Sequence, residues 1–110
     1  MSKYYEMSDF EINKAIAEWF GFSYFGFYEQ NGIRVRCNRI GGDTVTLDYC
    51  NNPVDMWPII VENDISLIND GVGNIGAAHD DYQQVWLPKD KALRAAAIIF
   101  LMMQERETNE

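Results

Sequence analysis

Between residues 40 and 88 the chain has no lysine and no arginine, yet it carries eight acids there: Asp43, Asp48, Asp55, Glu62, Asp64, Asp70, Asp80 and Asp81. The formal net charge of the 110 residues is −8. Nucleic acids and anionic membranes are held by Lys and Arg that displace counterions, so this acidic middle argues against direct binding to either. Histidine is nearly missing: His79 is the only one, whereas a divalent metal site generally wants three or four ligands. There are two cysteines, Cys37 and Cys50, in no metal-like spacing. The opening residues carry no apolar h-region, so both thiols read as small core residues in a reducing cytosol. No apolar run reaches the roughly 20 residues of a membrane span.

The longest apolar run is residues 92–103, Ala-Leu-Arg-Ala-Ala-Ala-Ile-Ile-Phe-Leu-Met-Met, in which only Arg94 is charged. A helix apolar on every side has no face to offer water and belongs in the middle of a core. The chain is therefore expected to fold as a single globular domain, 1–110, around a buried C-terminal helix at about 90–105, with Asp90 as its cap.

Ser8 and Glu11 have the spacing of a capping box, and Ile12, Ile16, Trp19 and Phe20 follow at helical intervals. This predicts an amphipathic helix at about 9–20 with Trp19 and Phe20 in the core and Gly21 at its end. The aromatic segment from Phe22, the Asn31-Gly32 and Gly41-Gly42 turns, and the alternation of Ile33, Val35, Cys37 and then Val45, Leu47, Tyr49 predict an antiparallel meander over 22–49. Arg34 and Arg36 read as cross-strand partners of Asp48 or nearby acids rather than as a phosphate site. Asn52-Pro53 starts a helix well, and Pro58 is expected to break it, giving a short Pro-broken helix at about 53–63. A strand at 65–68, a loop at 69–77 and an edge strand at 82–87 complete an α+β fold. In it, an antiparallel sheet of four to six strands packs against the last helix.

Two segments carry a resemblance. Tyr49-Cys50-Asn51-Asn52-Pro53, running through Trp57-Pro58-Ile59-Ile60-Val61-Glu62-Asn63 to Ile65-Ser66-Leu67, is similar to the signature of the small NinX-like proteins of tailed bacteriophages. Leu93-Arg94-Ala95-Ala96 with Phe100-Leu101-Met102-Met103-Gln104 resembles the end of the same family. The resemblance implies a phage accessory protein in the cytoplasm of an infected bacterium, and it supplies no catalytic residues. Most of the signature reads as a folding motif, with a cap, a proline and core positions. Trp57, Glu62 and Asn63 stand out because a fold alone does not obviously require them.

The chain carries few groupings that suggest chemistry. Gly71-Val72-Gly73-Asn74-Ile75-Gly76 matches G-x-G-x-x-G, but Ala77 to Asp81 beyond it is short and acidic rather than the helix a dinucleotide needs. Asp70, Asp80 and Asp81 near His79 could hold a hydrated Mg²⁺ or Ca²⁺; a solvated loop is the plainer reading. Nucleophilic catalysis needs a positioned base beside Ser, Thr or Cys, and none is evident. The expectation is a non-catalytic protein, without cofactor or metal, that binds a host or phage protein stoichiometrically. The candidate contact residues are Asp43, Asp48, Asp55, Trp57, Glu62, Asp64, Asp70, Asp80 and Asp81, with Tyr24, Tyr28 and Trp86 as further aromatic anchors. A sharper form has the acids mimic a nucleic acid toward a host-defence nuclease. The alternative is a small-ligand or metal-binding enzyme domain that uses residues 71–81 as a lid. A homodimer covering the apolar helix and the aromatic strand is a third reading.

Overall fold

The computed structural model of the chain describes residues 3–20, 27–30, 34–38, 44–79 and 84–108. In chain order these form α1 (Asp9–Trp19), β1 (Phe27–Gln30), β2 (Arg34–Asn38), β3 (Thr44–Leu47), α2 (Pro53–Glu62), β4 (Ser66–Asn69), β5 (Asn74–Ala78), β6 (Gln84–Pro88) and α3 (Ala92–Thr108). A 3-10 turn, Lys3–Glu6, precedes α1, and another, Lys89–Lys91, leads into α3 in place of a direct start at Asp90.

The last helix is the centre, as its composition demands. Residues 95–101 are buried without a break, which on a helix means cover on all sides. Ala95, Ala96 and Ala97 have no exposed surface, and their small side chains let neighbours approach closely. The helix rests on β5 and β6 and touches α1 and α2 on other sides. Ile12, Ile16, Met56, Ile59, Ile60, Ala77 and Val85 converge on it.

The strands are all antiparallel, but they do not form one sheet of four to six. They make two sheets of three, β1-β2-β3 and β4-β5-β6. The meander has the expected topology, with Val35 opposite both Glu29 and Leu47, yet it lies along α1 through β2. The sheet beneath α3 is the second one. Its alternate residues Leu67, Ile75, Ala77, Val85 and Leu87 belong to the core or pack against it.

The stretch 69–77, expected as a loop, contains the turn 70–73 and most of β5, the central strand of that sheet. Gly76 is the reason a strand tolerates glycine here: the Trp86 ring lies across it, and a Cβ at 76 would come within 2.8 Å of that ring. Pro58 does not break α2, which runs unbroken through it. The bond it forfeits is to the carbonyl of Val54, a residue open to water, so solvent can satisfy that group. Trp19 and Phe20 are not core residues but half-exposed. The buried face of α1 is Ile12, Asn13, Ile16 and Ala17, and the two aromatics lie beyond its cover, with Phe20 stacked on Phe100 at 5.8 Å. Gly21, Tyr24 and the aromatic segment 22–26 lie outside the described residues, as do the side chains that bear on the Arg34 and Arg36 pairing.

Candidate partner-binding face

The segment that carries the family-like wording, 49–67, is built around α2. Its start is held by a dense polar network. The Asn52 side chain accepts from the Val54 N–H at 3.0 Å, and Pro53 occupies the first helical position, where no N–H is needed. Asp55 accepts the backbone N–H of Asp48 at 3.0 Å, and the Asp48 carboxylate accepts from Asn13 at 2.9 Å and Asn51 at 3.0 Å. Asn13 is wholly buried, and its carbonyl takes the Cys50 N–H at 3.0 Å. Asn51 also donates to Asp9, whose other oxygen holds Arg94 at 2.7 Å. Burial by itself would raise the Asp9 carboxyl; the bonds from Asn51 and Arg94 and the charges of Arg94 and Lys91 outweigh it and hold the group below its ordinary value. The Cys50 thiol moves the other way, because burial, with the charges of Asp9 and Asp48, disfavours its thiolate more than Arg94 favours it. It is a packed, protonated thiol rather than a nucleophile.

The end of α2 is as closely defined. The Ile65 N–H returns to the Ile60 carbonyl at 3.0 Å, and Asp64 takes a left-handed conformation with φ 55°. This is a Schellman ending, with buried Ile65 and Ile60 supplying its apolar contact. The Asn63 side chain donates to the Ile59 carbonyl at 2.8 Å, and the Asn63 carbonyl lies 3.1 Å from the His79 ring. Asn63 is thus explained by the fold.

Between these ends α2 is apolar on both sides. Met56, Ile59 and Ile60 are buried toward α3. On the outer side Val54, Trp57 and Val61 keep 78%, 57% and 56% of their surfaces exposed. Positions i, i+3 and i+7 of a helix share one stripe, so the three form a ridge. The two valines are absent from the sequence-based candidates, although their spacing from Trp57 is readable in the chain.

The nine candidates divide accordingly. Asp55, Trp57, Glu62 and Asp64 lie on α2 or at its end, and Asp48 joins them through its bond to Asp55. Asp70 sits on another element, the β4–β5 turn, where its carboxylate accepts the N–H groups of Val72 and Asn74 and is held below its usual value by them. Asp43, Asp80 and Asp81 lie outside the described residues. A polar hollow of about 420 Å³ lined by Thr46, Asp48, Asn51, Asn52, Pro53 and Asp55 opens beside the N-terminus of α2. Among the described residues no three His, Cys, Asp or Glu side chains come together as a metal site would require. The G-x-G-x-x-G residues form a turn and a strand rather than opening a helix, and Asp80 and Asp81, the end of the 71–81 loop in the alternative reading, lie outside the described residues. No helix among the described residues is long and apolar enough to cross a membrane.

The architecture is that of a small α+β protein organised on a buried terminal helix, with a second helix whose outer stripe is apolar and bare. A family model described as bacteriophage P22 NinX matches residues 3–104. The chain belongs to that family, which makes it a bacteriophage protein and points to an accessory role. No curated protein and no solved structure matches the chain significantly.

Proposed function

We propose that this phage protein works without catalysis, by stoichiometric binding to a host or phage protein through the outer face of α2. The observation that carries the reading is the exposed ridge of Val54, Trp57 and Val61. Three apolar side chains left in water on one helical stripe cost solvation free energy that a polar surface would avoid. Helices that dock in grooves use this i, i+3, i+7 arrangement, and Trp is the commonest kind of interface anchor. Nothing in the described fold occupies Trp57 or Glu62, the two signature residues that the fold itself leaves unexplained.

Nucleic-acid mimicry, aimed at a host-defence nuclease, has less support. Asp48 and Asp70 commit their carboxylates to the fold's own N–H groups, which weakens an array of free acids. The test of the main reading compares the full-length protein with Trp57→Ala as bait in bacterial lysate, both checked for unchanged circular dichroism. A protein retained at near-equal amounts by the first and lost from the second is expected. Equal recovery by both would remove Trp57, and with it the ridge, from the binding face.

A further inference from the structure

We infer that the partner's surface is an apolar groove bordered along one side by lysine or arginine; this rests on the reading of α2 as the binding face. At about 100° per residue, Asp55 and Glu62 are seven positions apart and run along one flank of the ridge, with Pro58 between. Glu62 is exposed, whereas Asp55 is half-buried and already accepts the Asp48 N–H, so Glu62 is the acid most open to a partner. The opposite flank passes through Trp57 to Ile60, which is buried. The ridge therefore has an acidic border on one side only. Nothing in the local sequence neutralises it, since residues 40–88 contain no Lys or Arg.

Charge complementarity selects the occupant. A groove with a basic rim meets Val54, Trp57 and Val61 with apolar walls and meets Asp55 and Glu62 with opposite charge, which sets its direction along the helix. A second copy of this chain fits worse. In an antiparallel pairing of two α2 ridges the acidic borders fall on the same side, Asp55 of one against Glu62 of the other, between molecules that each carry −8. Such like-charge juxtaposition opposes association.

The experiment places the photocrosslinking amino acid p-benzoylphenylalanine in place of Val54 in the full-length protein, in bacterial lysate, and identifies the crosslinked peptide by mass spectrometry. The same protein carrying Glu62→Lys is irradiated in parallel, at low and high salt. The expected peptide has apolar residues at the crosslink with Lys or Arg within a few positions. Glu62→Lys should lower the yield about three- to tenfold at low salt, with a smaller difference at high salt. A crosslink to a second copy, to a peptide without basic residues, or one indifferent to Glu62→Lys would overturn the basic-rimmed groove while leaving the ridge as a binding face. If no crosslink depends on Trp57, tested by adding Trp57→Ala, both this inference and the reading beneath it fall.

Discussion

Asp9 and Arg94 stand 85 positions apart in the chain and meet at 2.7 Å, with both side chains largely out of solvent. The same guanidinium donates to the carbonyls of Met7 at 2.6 Å and of Tyr4 and Tyr5 at 3.4 Å. The one charge within residues 92–103 of the central helix is therefore the clasp that fastens the N-terminal turn and the start of α1 to α3. A buried pair need not stabilise relative to an apolar replacement, but removing one partner strands the other. Arg94→Ala is expected to lower unfolding free energy by about 3 kcal/mol, measured by urea denaturation. Arg94→Lys should recover only part of this, because a point-like ammonium cannot serve Asp9 and the carbonyls in the planar manner of guanidinium.

Asn13 is the second fastening. Its amide links the Asp48 carboxylate to the Cys50 N–H from a position with no exposure. Asn13→Ala leaves that N–H unsatisfied and should cost about 2 kcal/mol. Asn13→Asp should be worse at neutral pH, since it sets a second carboxylate against Asp48, and it should regain stability as pH falls. Thermal unfolding at pH 5 and pH 7 separates the two cases.

Much of the frame was legible because local rules and the global fold agree. Residues 92–103 are apolar all round and lie at the centre; Ser8 and Glu11 form both bonds of the capping box, at 3.1 and 3.0 Å; and the meander pairs consecutive strands as its turns require. What stayed hidden depends on contacts between distant residues. No periodicity links Asp9 to Arg94 or Asn13 to Cys50. The strand at β5 was obscured by Gly76, whose justification is a tryptophan ten positions later, and the continuity of α2 by a proline whose missing bond faces water. The division of the strands into two sheets of three was out of reach, because period-2 patterns do not say which strands are neighbours. Of the candidate site, Trp57, Asp55, Glu62 and Asp64 could be named from sequence; which flank of α2 was bare required the packing against α3.

Gly76 and Trp86 face each other across β5 and β6. Gly76→Ala would drive a methyl into the indole at 2.8 Å, so the ring must move. A loss of about 1–3 kcal/mol is expected, with a change in tryptophan fluorescence. Combining it with Trp86→Ala should remove most of the added penalty, and a purely additive double variant would refute the contact.

Asp64 is strained twice. It holds φ 55° without being glycine, and it places a negative charge just past the C-terminus of α2, where the helix dipole disfavours it. Asparagine tolerates the left-handed region and carries no charge. Asp64→Asn should therefore raise stability by about 0.3–1 kcal/mol, seen as a higher melting temperature. A drop would mean that the carboxylate makes a stabilising contact.

The Asp9 carboxyl contributes to the acid limb of the stability curve, as do Glu11 and Asp70, which the fold also holds below their usual values. The Asp9 value is lowered in the folded protein from 3.8, so the folded state binds that proton less readily than the unfolded chain. The stabilisation is then complete above the unfolded value and is lost as pH falls through the folded one. The urea midpoint should hold between pH 7 and pH 5 and decline below about pH 4. Asp9→Asn should lie lower at pH 7 but decline less steeply in acid, because it has no proton to gain. At the other end, burial and the neighbouring Glu105 raise Tyr4 from 10.0 to about 12, so its contribution is present below pH 10 and is lost as pH climbs toward 12. Tyr4→Phe should flatten that alkaline decline and leave the acid limb unchanged. Parallel acid limbs for the wild type and Asp9→Asn would show that the clasp at Arg94 does not depend on the charge of Asp9.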